Sequence, residues 1–125
     1  VFFELGLNKG GQLRADVLSM SMRGEIIIVE VKSCAADLLA DKKLLGYQPF
    51  CHKMYVAIPS DAKVSTELKE LQAHGIGVFL MEPSGKKITR VLPAATGQVP
   101  EDLVQAIAIR GAFRQSDSST RKNKI

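Results

Sequence analysis

Asp16, Glu30 and Lys32 are the residues of this sequence whose types and spacing could do chemistry together. Side chains of an extended chain alternate between faces. A strand over residues 25–32 therefore sends Ile26, Ile28, Glu30 and Lys32 to one face and Ile27, Val29 and Val31 to the other. If residues 13–20 form the preceding strand and the chain turns back through Met22 to Gly24, Asp16 comes to face Glu30. Two carboxylates and an ammonium then share one small, half-buried site. Like charges held there repel and raise one another's pKa, and a divalent cation resolves the conflict. Magnesium, or manganese in its place, suits such a site, because these ions take oxygen ligands and keep several waters; Asp16, Glu30 and the Val31 carbonyl could supply those oxygens. A metal so held polarises a phosphoryl oxygen and acidifies a water, while Lys32 stabilises the developing negative charge. The chemistry implied is hydrolysis of a phosphodiester. The same pattern also suits a plain solvated pair at a strand end, which contributes only about 0–1 kcal/mol. Its position on a hairpin, with an apolar second strand and a capped helix next, favours the chemical reading.

The elements that must position these residues can be read from period and punctuation. Residues 1–7 are rich in Phe and Leu, and Asn8 to Gly11 turn the chain. Residues 13–20 form a second strand, and Arg23-Gly24 the next turn. Residues 25–32 are the strongest strand signal: Ile26, Ile27, Ile28, Val29 and Val31 are β-branched, interrupted only by Glu30. The period then changes from two to about 3.6. Residues 35–47 place Ala35, Leu38, Leu39 and Leu45 on one helix face, with Ser33 at the capping position and Pro49 ending or bending the helix. Lys53 to Ile58 is a fourth strand, closed by Pro59. Val64, Leu68 and Leu71 step as a second helix that stops at His74-Gly75. Ile76 to Met81 is a fifth strand, Pro83-Ser84-Gly85 a turn, Lys87 to Leu92 an edge strand, and residues 101–110 a helix behind Pro100. The order is βββαβαββα. Because the third and fourth strands are apolar at both parities, a mixed α/β sheet covered on both faces is expected.

Composition bounds the function. With 125 residues, 46% hydrophobic and 24% charged, the chain is sized for one domain. No run approaches the roughly 18 apolar residues of a membrane span. Cys34 and Cys51 are too few and too widely spaced for a disulfide scaffold or a CxxC site, which points to a reducing compartment. The chain opens at Val1 on a strand-like run, which suggests residues upstream. The net charge of +4 equals the excess in residues 110–125, where Arg110, Arg114, Arg121, Lys122 and Lys124 face Asp117 alone. Such an end attracts polyanions, and it equally suits a solvated, disordered tail, since residues 115–125 are nearly devoid of apolar side chains.

Asp16 followed by Glu30-Val31-Lys32, on adjacent strands with a helix and a strand after them, resembles the PD-(D/E)xK nuclease superfamily. More narrowly, Arg14-Ala15-Asp16-Val17, IVEVKS, Ala36-Asp37-Leu38, Ala40-Asp41-Lys42-Lys43, Tyr47, Cys51 and Tyr55-Val56-Ala57-Ile58-Pro59 are similar to the bacterial MmcB-type DNA-repair proteins. The resemblance covers about residues 13–60. It implies a restriction-endonuclease-like core, magnesium- or manganese-dependent action on DNA, Asp16 and Glu30 as ligands, Lys32 as the catalytic lysine, and a bacterial cytoplasmic, nucleoid-associated setting. The chain departs from the superfamily in two ways. It starts on a strand where a helix often donates a Glu, a part Glu4 could take. It also carries Ala15 where the motif has Pro. The narrower family is tied more closely to repair than to a defined cleavage reaction.

Other polar and aromatic residues have simpler accounts beside their chemical ones. Asp37 and Asp41 stack on one helix face and could line the site or contact DNA; a solvated mixed-charge face explains them equally. Ser33 could touch a water or phosphate, but capping accounts for it. Cys51-His52, with Cys34 and His74, lacks zinc spacing, so buried thiols and surface histidines are expected. Pro83-Ser84-Gly85-Lys86 lacks the first Gly of a phosphate loop and is a hairpin turn. Tyr47 and Tyr55 are assigned to packing rather than base stacking.

The resulting expectation is a nuclease-like domain over residues 1–113 and a basic, disordered tail over 114–125. Its function is metal-dependent phosphodiester hydrolysis in DNA repair. The alternative is a DNA-binding or protein-docking module on the same scaffold without turnover, using Lys42, Lys43, Arg121, Lys122 and Lys124 on phosphates. A further one is an accessory subunit whose partner, another repair protein, supplies the missing acid.

Overall fold

A computed structural model of the chain describes residues 1–7, 14–33, 44–61 and 65–123; the side chains of Glu4, Ser65, Thr66 and residues 116–123 lie outside that description. Among the described residues, six strands form one mixed sheet in sequence order. They are β1 Phe2–Gly6, β2 Arg14–Met20, β3 Ile26–Val31, β4 Lys53–Pro59, β5 Gly77–Met81 and β6 Ile88–Leu92. The first three form the expected antiparallel meander. β3, β4 and β5 run parallel, and β6 returns antiparallel at the far edge. Parallel neighbours need crossovers. The β4-to-β5 crossover contains helix α1, Ser65–Ala73, and the last strand is followed by helix α2, Glu101–Asn123.

The core follows from strand parity. Ile26, Ile28 and Glu30 of β3 are buried while Ile27 and Val29 are half-buried and Val31 is exposed. Ile26 and Ile28 join Leu18, Val56, Ile58 and Val78 from neighbouring strands, all fully buried, with Leu71 of α1 and Val104 and Ile107 of α2 laid against them. Each such side chain contributes about 1.5–3 kcal/mol relative to exposure. The opposite parity is less covered than its apolar composition predicts. Tyr55 and Ala57 are buried there and Tyr55 stacks on Phe79, but Phe3 stays 65% exposed and Val31 47%. Tyr55 is therefore a packing residue, as is the buried Tyr47.

Two expected elements end differently. Residues 34–43, which hold most of the first expected helix together with Cys34, Asp37, Asp41, Lys42 and Lys43, lie outside the described residues. Leu45–Phe50 form a 3-10 helix with Pro49 inside it, and Leu45 is 45% exposed instead of facing inward. The last helix does not stop at residue 110 before an unfolded tail; it continues to Asn123. Gly111, the first residue past the expected end, is buried under the Phe2 ring, and Arg110 donates from Nη1 to the Leu7 carbonyl at 2.6 Å. Close packing at the glycine and this anchor offset its poor helix propensity, which costs about 1 kcal/mol against Ala.

α1 ends where the His74-Gly75 pair predicts. Gly75 has φ +74°, and the Ile76 N–H bonds back to the Leu71 carbonyl at 2.9 Å, satisfying a carbonyl of the last turn. Two positions later, Gly77 is under tighter constraint. A Cβ there would strike the Tyr55 ring and lie 2.8 Å from the Ala94 backbone nitrogen. Gly77→Ala is expected to destabilise the fold by about 1–3 kcal/mol through overpacking. Urea denaturation measures this, and an unchanged midpoint would contradict the packing described.

Candidate functional site

The carboxylates meet where β2 and β3 part. Cross-strand register runs to Val17 opposite Val29, and the next pair in that register is Asp16 opposite Glu30. There the side chains take over from the backbone ladder. The Asp16 N–H donates to Glu30 Oε1 at 2.9 Å, and the Val31 N–H donates to Asp16 Oδ2 at 3.0 Å. Each carboxylate is thereby oriented by the other strand's main chain. The sequence expectation that they share a face is met.

Parity explains why Glu30 is unlike an ordinary surface acid. It continues the buried row of Ile26 and Ile28 and is only 3% exposed. Burial is the main cause that pushes its pKa from the usual 4.5 up to about 8. The Asp16 N–H works against this shift, the charge and side chain of Asp16 add to it, and the Lys32 charge opposes it least. A carboxylic acid so placed stays largely protonated at neutral pH unless a cation takes the proton's place.

Lys32 follows at the end of β3. It is half-buried, and its N–H bonds to the Ala57 carbonyl of β4 at 2.9 Å. Because successive residues of a strand direct their main-chain groups to opposite sides, the Val31 carbonyl points to the β2 side, where Asp16 lies. Two carboxylates and a carbonyl thus gather at one end of a central strand, with Lys32 two residues beyond Glu30 on the same strand parity; the three oxygen donors match a hard divalent cation.

Other residues singled out in the sequence fall elsewhere. Glu4 lies between the register pairs Phe3–Val17 and Leu5–Ala15, so the backbone positions of Glu4, Asp16 and Glu30 form one row across three strands. Ser33 is exposed at the end of β3, and the helix it was expected to cap lies outside the described residues. Arg121 and Lys122 belong to α2, with side chains outside the description, as is Lys124 altogether. Among the described residues no group of three His, Cys, Asp or Glu clusters. Cys51 is buried, hydrogen-bonded to the Tyr47 carbonyl at 3.6 Å, with burial pushing its pKa up to about 12. That thiol is inert at neutral pH. His52 is not the surface residue its sequence context suggests: it is half-buried, and its Nδ1 accepts the Ile26 N–H at 2.9 Å, closing the opposite end of β3. Pro83-Ser84-Gly85 is the expected turn, with Gly85 at φ +71°. What the sequence did not reveal is that Lys86 and Lys87, beside this turn, lie at the same end of the sheet as the carboxylates. The parallel run β3-β4-β5 puts them there, and only the register discloses it.

Comparison with known proteins adds a family and a fold. A family model described as "DNA repair protein MmcB-like" matches residues 1–120. No curated protein matches the sequence. Among solved structures, the SPO1766 protein of unknown function from Silicibacter pomeroyi superposes with a TM-score of 0.78 at 22% identity, covering 98% of this chain and 77% of that one. At that identity the likeness shows a shared fold, a mixed-sheet α/β architecture consistent with a restriction-endonuclease-like core. Among the described residues no helix is long and apolar enough to cross a membrane.

Proposed function

Because the chain belongs to the MmcB-like DNA repair protein family, we propose that it acts in repair by metal-assisted hydrolysis of DNA phosphodiester bonds. In this reading Asp16 and Glu30 are metal ligands, the Val31 carbonyl is a third oxygen, and Lys32 stands beside the attacking water. The observation that carries the reading is the interlock of Asp16 and Glu30 through each other's strands, with Glu30 buried and its pKa at about 8. A structural acid at a core position would more simply be an apolar residue, since burying a carboxyl costs several kcal/mol unless it is compensated. Magnesium or manganese bound here would polarise a phosphoryl oxygen and acidify a water. Asp16 and Glu30 would hold that ion and thereby lose their mutual repulsion, and Lys32 would contribute positive charge toward the scissile phosphate. Glu4 is proposed as an accessory acid on its register position alone. We likewise propose accessory roles for Ser33, Asp37 and Asp41 near the metal, and contacts with DNA phosphates for Lys42, Lys43, Arg121, Lys122 and Lys124.

Calorimetric titration with manganese tests the site directly. The wild-type protein is expected to show one binding event, and Asp16→Asn to weaken it at least about tenfold, since removing a charged ligand costs more than 1.4 kcal/mol. Equal binding by the two proteins would remove the metal from the mechanism. Branched, nicked and single-stranded DNA incubated with magnesium then separates turnover from docking: binding without cleavage on every substrate identifies the DNA-binding module instead.

A further inference from the structure

The β5–β6 turn bears on which part of a DNA substrate the protein touches. Because β3, β4 and β5 are parallel, their carboxyl ends lie together, and the turn leaving β5 shares the end of the sheet that holds Glu30 and Lys32. Val31, Ala57, Phe79 and Arg90 stand in one cross-strand row. Three interstrand steps put β6 about 14 Å from β3, and Lys87, three residues before Arg90, lies about 10 Å farther along the strand direction. The lysines therefore stand about 17 Å from the end of β3, or roughly five base steps of one DNA strand at about 3.4 Å each. The turn is well braced: the Gly85 N–H donates to the Glu82 carbonyl at 2.8 Å, the Glu82 N–H to the Lys87 carbonyl at 3.0 Å, and the Lys86 N–H to Ser84 Oγ at 3.3 Å. Lys86 and Lys87 are both exposed. Residues 82–92 carry three cations, Lys86, Lys87 and Arg90, against Glu82 alone. Among the described residues neither lysine makes an ion pair, and the ion pair Lys53–Glu25, at 4.0 Å, lies at the other end of the sheet.

Resting on the reading of this chain as a DNA-processing protein, we infer that Lys86 and Lys87 contact the phosphate backbone of the substrate about 17 Å from the end of β3, on its β6 side. The braced turn fixes at this end of the sheet the main chain from which both lysines extend, so phosphate contacts there set the position of the scissile phosphate without reading sequence. Lysines on an edge hairpin can also serve only to discourage strand pairing between molecules, and the salt dependence of DNA binding distinguishes the two roles.

The test is fluorescence anisotropy of a labelled 20-base-pair duplex in EDTA, with the full chain, between 50 and 200 mM salt. Each phosphate contact contributes about 0.9 to the slope of log affinity against log salt, so K86Q/K87Q is expected to reduce that slope by about 1.8. Arg23→Gln, in the β2–β3 turn at the opposite end of the sheet, is expected to leave the slope unchanged. An unaltered slope in K86Q/K87Q, with or without new self-association, overturns the inference while the DNA reading stands. An equal loss in Arg23→Gln overturns it too, since diffuse charge would then suffice. Absence of DNA binding by the wild-type chain defeats the DNA reading and this inference together.

Discussion

Asp16→Asn, Glu30→Gln and Lys32→Ala are each expected to cut magnesium-dependent DNA cleavage by about a hundredfold to a thousandfold, the range found when one preorganised electrostatic group is removed from a reacting centre. The three substitutions act on different parts of the same event. Asp16→Asn removes a negative charge that attracts the ion but keeps an oxygen able to accept the Val31 N–H. Glu30→Gln reproduces the shape and charge of the protonated acid, with an oxygen still available to the Asp16 N–H. Lys32→Ala leaves the carboxylate interlock in place and removes the side chain beyond Cβ, the ammonium with it, while its backbone bond to Ala57 is unaffected. All three proteins should therefore fold, which circular dichroism checks. Cleavage is followed on branched and nicked duplexes, with chelator as the control. A variant that retains activity within threefold of wild type has no role in turnover, and activity indifferent to chelator removes the metal.

How much of this was legible in the sequence depends on how local the cause is. β3 was legible because its run of β-branched residues is broken only by Glu30, and the Asp16–Glu30 pairing followed from the short Met22-to-Gly24 turn, which fixes register. The burial of Glu30 was only half legible. Parity puts it on the Ile26–Ile28 face, but whether that face is still covered at the strand's end depends on long-range packing. The extension of α2 past residue 110 was hidden, because composition sees a glycine and a polar, basic run, whereas Gly111 is held by a ring 109 positions upstream, that of Phe2. His52 was misread for the same reason: its bond to Ile26 arises from the parallel pairing of β3 and β4, a contact with no local signature. The hairpin lysines show the limit most directly, since their distance from the carboxylates is a property of strand order alone.

Burial makes Glu30 a proton-linked element whose pH dependence has a definite sign. In the unfolded chain a Glu ionises near its usual value; in the fold its pKa is about 8. Between these values the folded state holds a proton that the unfolded state has lost, so stability of the metal-free protein falls as pH rises from about 4.5 to about 8 and then levels. The full span corresponds to as much as about 5 kcal/mol, at about 1.4 kcal/mol per decade. Glu30→Gln carries no such proton. The difference in urea-denaturation free energy between wild type and variant should therefore be small at pH 5 and should favour the variant increasingly toward pH 8. The same proton competes with a cation. At pH 7 about nine-tenths of the folded, metal-free molecules carry it, so manganese binding should release nearly one proton per ion, read from calorimetric enthalpies in buffers of different ionisation heat. Apparent affinity should rise about tenfold per pH unit up to about 8 and flatten above it. A pH-independent difference between wild type and Glu30→Gln would mean that Glu30 ionises normally in the fold. Metal binding without proton release at pH 7 would mean that the cation sits elsewhere.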